Sequence, residues 1–304
     1  MSYGTRQPRD FSVEGLHAAA RLGVNKVMGN IFYVLGFAPG SDSNSGLSPD
    51  DPFLTIAHAL DQCVADHDDY IIIMDCWQQE DFPIDVDVSR VHILGVDNYN
   101  GFLPRMAPPG DTPIFNITQS YVEIGHLCLS GGDGHGAIEI LGILARSRIH
   151  DCVFGIPAAC QDGIVFDVTA DATETMIDHN LFSGPGIVRD AIRIEAAATR
   201  AMIRNNVMRQ VGGVGINVLA EAHLNDILDN TISLAADGEG AAISFINAAS
   251  ADCIVDHNSA MFGITKMGQN PYFDDGGNDW GCNWVQCIIE AVNTFCNCVM
   301  PTHS

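Results

Sequence analysis

Two aspartates in this sequence are spaced to work as a pair. Asp162 and Asp190 stand 28 residues apart, each two residues before an isoleucine, Ile164 and Ile192. On adjacent stacked strands they would lie about 5 Å apart, the separation at which one carboxylate attacks a glycosidic carbon while the other protonates the leaving oxygen. Like charges that close raise one of the two pKa values, as acid catalysis requires. An aspartate just before a strand is also an ordinary turn residue. No companion motif surrounds this pair, so the turn is the favoured reading and catalysis by Asp162 and Asp190 the alternative.

Ten cysteines and 11 histidines raise the question of a metal. Cys282, Cys287, Cys296 and Cys298 cluster near the C-terminus, but their spacing lacks the paired C-x2-C knuckles of common zinc sites. A structural metal ranks below reduced thiols there, and the oxidation state of the four stays open. Cys128 and Cys152 fall in strand columns as small buried hydrophobes. His179 and His257 share a column but stand three rungs apart, ~14 Å at strand spacing, too far to hold one ion. Asp178 and Asp256 fail as a catalytic pair on the same ground. Arg204, one rung from Asp178, reads as its cross-rung ion partner. No metal and no cofactor are expected.

These placements presuppose a scaffold that returns residues at fixed intervals, and the chain supplies one. Five six-residue segments begin at Ile149, Ile177, Ile203, Ile227 and Val255, with fourth positions spaced by 28, 26, 24 and 28 residues. A second pattern runs half a period later on Ile138, Ile164, Ile192, Ile216 and Ile243. A period that varies but never fails is a solenoid signature. In each segment the first, fourth and sixth positions are apolar or Asn and the others mixed, which predicts a short strand kinked after its first residue with one side facing inward. Units of this length without a helical run suit a parallel β-helix, with right-handed crossovers. The fourth column reads Cys152, Asn180, Asn206, Asn230, Asn258, and stacked Asn amides can satisfy one another and a buried bend.

Net charge is −24, from 14 Lys plus Arg against 38 Asp plus Glu. That balance opposes binding to nucleic acid or to an anionic membrane over most of the surface. No run approaches the roughly 20 apolar residues that span a bilayer, and the first residues lack the apolar stretch of a signal peptide. Residues 1–29 carry Arg6, Arg9, Arg21 and Lys26 on an otherwise acidic chain, with a short amphipathic helix predicted after Ser12. They read as a cap over the first coil or as an attachment arm for an acidic partner. Residues 30–265 form the predicted solenoid and 266–304 an irregular C-terminal cap or oligomerisation tail. Between Asp75 and Tyr121, Pro104, Pro108, Pro109 and Pro113 mark an excursion, in which Phe102-Leu103-Pro104-Arg105-Met106 is apolar for a loop. Trp77, Trp280 and Trp284 are predicted to lie outside the regular coils.

The turn Gly40-Ser41-Asp42-Ser43-Asn44-Ser45-Gly46, with Ser48-Pro49 and then Pro52-Phe53-Leu54-Thr55-Ile56-Ala57-His58-Ala59-Leu60 after it, resembles the leading segment of pectin-lyase-like right-handed β-helix proteins. In that superfamily the segment closes the N-terminal end of the solenoid with a short helix, here expected over residues 53–65. The resemblance covers residues 30 to about 265 and implies the fold. Its members range from polysaccharide lyases and hydrolases to phage tailspikes and virion proteins, so fold alone does not choose a function. Gly134-His135-Gly136 looks like part of the polygalacturonase signature, but its companion elements are missing, and a Gly-rich turn explains it. The expectation is a non-enzymatic virion protein of a tailed phage: a trimeric capsid decoration or spike subunit at the virion surface, attached to a capsid or tail protein through Arg6, Arg9, Arg21 and Lys26. The alternative is a polysaccharide depolymerase or glycosidase, or an adhesin that binds host glycan.

Overall fold

The computed structural model describes residues 29–75, 80–97, 102–132, 134–155, 160–183, 187–234, 240–262, 271–289 and 292–296. Arg6, Arg9, Arg21, Lys26, Trp77 and Cys298 lie outside the described residues, as do the side chains of Cys287 and Cys296. The described chain is a parallel β-solenoid, as its leading segment implies, with three sheets of 14, 9 and 8 strands running along its length.

Each coil is built from very short strands because its inward positions are few and fixed. One coil runs through Ile143–Ala145, Arg148–His150, Val153–Phe154 and Asp162–Phe166 before the next begins at Asp171–Thr173. In the largest sheet the inward column is Phe32, Ile71, Ile93, Ile124, Ile149, Ile177, Ile203, Ile227 and Val255, in register on successive rungs. The 8-stranded sheet faces it with Phe115, Ile138, Ile164, Ile192, Ile216, Ile243 and Tyr272. All of these side chains are buried, so every rung stacks like on like and removes the new apolar surface from water. Phe154 and Phe182 continue this in the third sheet, stacked with ring centres 4.7 Å apart and 9° between planes.

The kink predicted after the first residue of each repeat falls instead at the third. Asp151, His179, Asn205, Asp229 and His257 have φ between 52° and 58°, the left-handed region, and separate two strands at a sharp corner. Such a corner turns a backbone N–H and a C=O inward, and the following Asn meets both. Asn206 accepts from the Asn180 backbone N–H at 3.0 Å and from its amide at 3.1 Å, and donates to the Ile177 carbonyl at 2.9 Å. Asn180, Asn230 and Asn258 repeat the arrangement, and Cys152 begins it by donating its N–H to Asn180. The ladder runs one rung further than the five residues of the sequence pattern, to Asn283, which accepts from Asn258.

Three sequence expectations change here. The described residues 271–280 are not an acidic loop: Tyr272–Asp274 and Gly277–Trp280 pair in parallel with Ile243–Phe245 and Ala251–Asp256. Trp280 therefore occupies the inward column above Val255, 7% exposed, and Trp284 pairs with Ser259. The apolar stretch before residue 107 holds a rung of its own, Arg105–Met106, with Met106 buried and paired to Leu129. Trp284–Ile289 then pairs in antiparallel fashion with Val292–Cys296.

The leading helix is Ile56–Gln62, shorter than residues 53–65, because Thr55 caps it by accepting from the His58 N–H. Its free N–H groups at Ile56 and Ala57 donate to Glu80 at 2.5 and 3.4 Å. Burial pushes the Glu80 carboxyl up to about 7.

Two measurements test these supports. Asn230→Ala, which strands two donors and a carbonyl inside the stack, is expected to cost about 3 kcal/mol or more by denaturant unfolding. For Glu80 the folded pKa lies above the unfolded value of about 4.3, so folding holds the proton and stability falls as pH rises through that window. Glu80→Gln should match the wild type near pH 4 and exceed it by up to about 3 kcal/mol at pH 8.

Candidate functional site

The corners that shape each coil also fix which side chains meet on its outer surface. A second left-handed column precedes the strands of the largest sheet, at Arg90, Tyr121, Arg146, Glu174 and Arg200. Bulky residues are uncommon there, but the coil needs the corner on every rung, so the strain belongs to the fold. Its effect is to point long side chains outward in a row. Beside them runs the outward column Tyr70, His92, Glu123, Arg148, on successive rungs in register.

Between these two columns lies a groove of about 370 Å³ lined by Asp68, Arg90, His92, Tyr121, Val122, Glu123, Arg146 and Arg148. Tyr121 has the Arg90 guanidinium 4.9 Å and the Arg146 guanidinium 5.9 Å from its ring centre. Three of the chain's 14 basic residues therefore line one groove on a protein of net charge −24. A tyrosine face with flanking guanidinium groups suits the apolar face and acidic or hydroxyl substituents of a sugar.

Each charged group in the groove already has an internal partner. Arg146 donates to Glu174 at 2.5 Å, and Arg90 lies 3.7 Å from Asp66 and from Asp68. Arg148 makes a two-pronged contact with Asp178, at 2.9 and 2.7 Å. This corrects the expected pairing of Asp178 with Arg204. Those two residues are in register, yet Arg204 turns to the Met176 sulfur at 3.6 Å, because Arg148 from the preceding rung presents both donors to the buried carboxylate. Burial raises the Asp178 pKa, and hydrogen bonds from Arg148 and His179 outweigh it, leaving the group below its ordinary value.

Glu123 is the centre of the outward column. His92 Nδ1 lies 2.6 Å from one carboxylate oxygen and His150 Nε2 lies 3.0 Å from the other. Hydrogen bonds from His150 and then His92 hold its pKa well below the usual carboxylate range. His92 is itself fixed by Tyr70, stacked at 4.2 Å. For His150, burial opposes protonation, but hydrogen bonds to Glu123 and Asp151 outweigh it and raise the pKa. Composition and period gave no sign of this cluster. Its signal was the alignment of the rungs on their isoleucines, which puts His92 beside Glu123 and His150 beside Gly125.

Asp162 and Asp190 do meet on adjacent rungs, where the Asp190 N–H donates to an Asp162 oxygen at 2.9 Å. They do so inside the protein, 0% and 2% exposed. Arg189 holds Asp162 through both of its oxygens. Asp190 accepts from Arg193, Asn217 and the Val214 N–H, each at 2.8 Å. The pair is thus a step of buried, hydrogen-bonded acids between rungs. His135 and Gly136 stand at the start of the strand Gly136–Ile140, with His135 bonded to Glu139 at 2.9 Å. Cys282 is disulfide-bonded, a state its spacing left open, and the described thiols Cys63, Cys152, Cys160 and Cys253 are free.

No family model matches the chain, and no curated protein matches it. Solved structures do. A lacto-N-biosidase of family GH136 from Eubacterium ramulus has a TM-score of 0.40 at 13% identity, covering 90% of this chain and 70% of that one. XylC in complex with xylose has a TM-score of 0.42 at 10% identity, over 85% of this chain and 71% of that one. ORF18 of Geobacillus virus E2 has a TM-score of 0.37 at 10% identity, over 95% and 67%. Likeness of this degree assigns no activity.

Arg148 tests the groove's internal pairing. Arg148→Met leaves the buried Asp178 carboxylate with His179 alone, and a loss of about 1–3 kcal/mol is expected in denaturant unfolding.

Proposed function

We propose that this protein is a non-enzymatic structural subunit of a tailed-phage particle, a trimeric decoration or spike protein. The observation that carries the non-enzymatic part is the state of Asp162 and Asp190. Both carboxylates are buried and filled by arginines, an amide and backbone N–H groups, so neither offers an oxygen to a substrate. A glycosidase acid and nucleophile must both face the sugar. The described polar ladders serve cohesion between rungs, which suits a scaffold that must persist.

The particle assignment draws on the charge pattern. An acidic solenoid preceded by Arg6, Arg9, Arg21 and Lys26 supports docking of the arm on an acidic capsid or tail protein. A second reading, an adhesin that holds a glycan, is favoured by Tyr121 beside Arg90 and Arg146.

One set of experiments separates these. Light scattering of the chain with and without residues 1–28 should give a trimer in both forms, and only the full chain should co-sediment with particles. A monomer in both forms, or attachment by the truncated chain, would count against the particle reading. Incubation with neutral and acidic polysaccharides should release no new chain ends. Depolymerisation that Asp162→Asn abolishes would replace it with the enzymatic one. Glycan retention lost by more than tenfold in Tyr121→Ala would favour the adhesin.

A further inference from the structure

Outside the groove, the surface of the same sheet brings together three side chains from two adjacent rungs. His126 and Asp151 occupy successive left-handed corners, at φ 58° and 52°, and His150 precedes the second. One donor atom from each lies within 4.8 Å of the others. The Asp151 carboxylate is 2.8 Å from His150 Nδ1 and 3.9 Å from His126 Nε2. Ligand atoms about 2.1 Å from a tetrahedral metal stand ~3.4 Å from one another, and the two separations bracket that value.

Two further features single out this cluster from the other histidines of the corner column. The first concerns both ring nitrogens of His150, which face carboxylate oxygens, Glu123 at 3.0 Å and Asp151 at 2.8 Å. A neutral imidazole has one N–H to give, so one of those contacts needs a second cation between nitrogen and oxygen, a proton or a metal. With Nε2–H donating to Glu123, Nδ1 turns its lone pair to the side where Asp151 and His126 converge. The second is the space for the ring. A Cβ at Gly125 would stand 2.7 Å from His150 Cε1 and 2.8 Å from Nε2, so the glycine is what lets the imidazole lie across the rung.

We propose that His126, His150 and Asp151 bind one divalent ion of the zinc type, with Glu123 as the carboxylate that orients His150 from behind. Two imidazoles and one carboxylate form a donor set for zinc and its first-row neighbours and not for calcium, which takes oxygen ligands. A carboxylate on the far nitrogen of a metal-bound histidine fixes the tautomer and strengthens the ligand. Here Glu123 is itself fixed, by His92 at 2.6 Å. His150 is 8% exposed while His126 and Asp151 are 50% and 43% exposed, so the ion would rest on one rigid ligand and be closed by two that reach it from solvent. The site goes beyond the particle reading and stands whether or not that reading holds.

Isothermal titration of the full, chelator-stripped chain with zinc chloride tests it, with calcium chloride as the comparison. Uptake of one zinc at this site and no response to calcium are expected. His126→Asn and Asp151→Asn keep residues that tolerate the left-handed corner, and each should weaken zinc binding at least ~10-fold. Glu123→Gln should weaken it by ~10–100-fold. Unchanged melting of the metal-free variants shows that they fold. Cobalt in place of zinc should give visible bands without a thiolate charge-transfer band. No uptake of zinc, full-strength binding by both corner variants, or a thiolate band that places the ion on the cysteines would each overturn the proposal.

Discussion

The corner after the largest sheet is the constraint on which the rest of this structure depends. Bending the chain sharply enough to close a coil requires a left-handed residue, and that residue turns peptide groups into a region without water. Leaving them unpaired would cost about 1–3 kcal/mol for each group on each rung. The stacked asparagines remove that cost by bonding along the axis, from Asn180 through Asn206, Asn230 and Asn258 to Asn283. Because each amide is satisfied by its neighbours, rung register and corner geometry are one condition. The isoleucine columns supply the driving force and the asparagines fix where each rung must sit.

Much of this was legible because a solenoid writes its fold in one dimension. Ile149, Ile177, Ile203, Ile227 and Val255 recur at intervals that only stacked coils explain, and their alignment names the ladder. What escaped was carried by residues that do the same job with different chemistry. Tyr272 and Trp280 fill inward positions held by isoleucine and valine on the rung before, and Arg105–Met106 is a rung of two residues inside a proline-rich stretch. A search for repeated aliphatics passes over all of them. Asn283, 25 residues past Asn258, was the available signal that the coils continue.

The candidate site was less legible for a different reason. Spacing correctly placed Asp162 beside Asp190, yet spacing cannot say on which side of a sheet a pair lies or what else reaches it. Arg189 and Arg193 were in plain view as neighbours in sequence, and their donors turn two acids into structural groups. Conversely, Glu123, His92 and His150 come from three coils and share no motif. His92 and Glu123 share the outward column, and His150 stands two residues beyond its next member, Arg148, in register with Gly125.

The strand Val292–Cys296, which doubles back on Trp284–Ile289, has a consequence for growth. A parallel solenoid is in principle endless, since its last rung offers the same row of donors and acceptors as its first and could accept another molecule there. An antiparallel return presents a different hydrogen-bond spacing and breaks the translation that repeats the coil. In that sheet the stack carries its own terminator. Each added or lost coil would change the stack by ~4.8 Å without disturbing its neighbours.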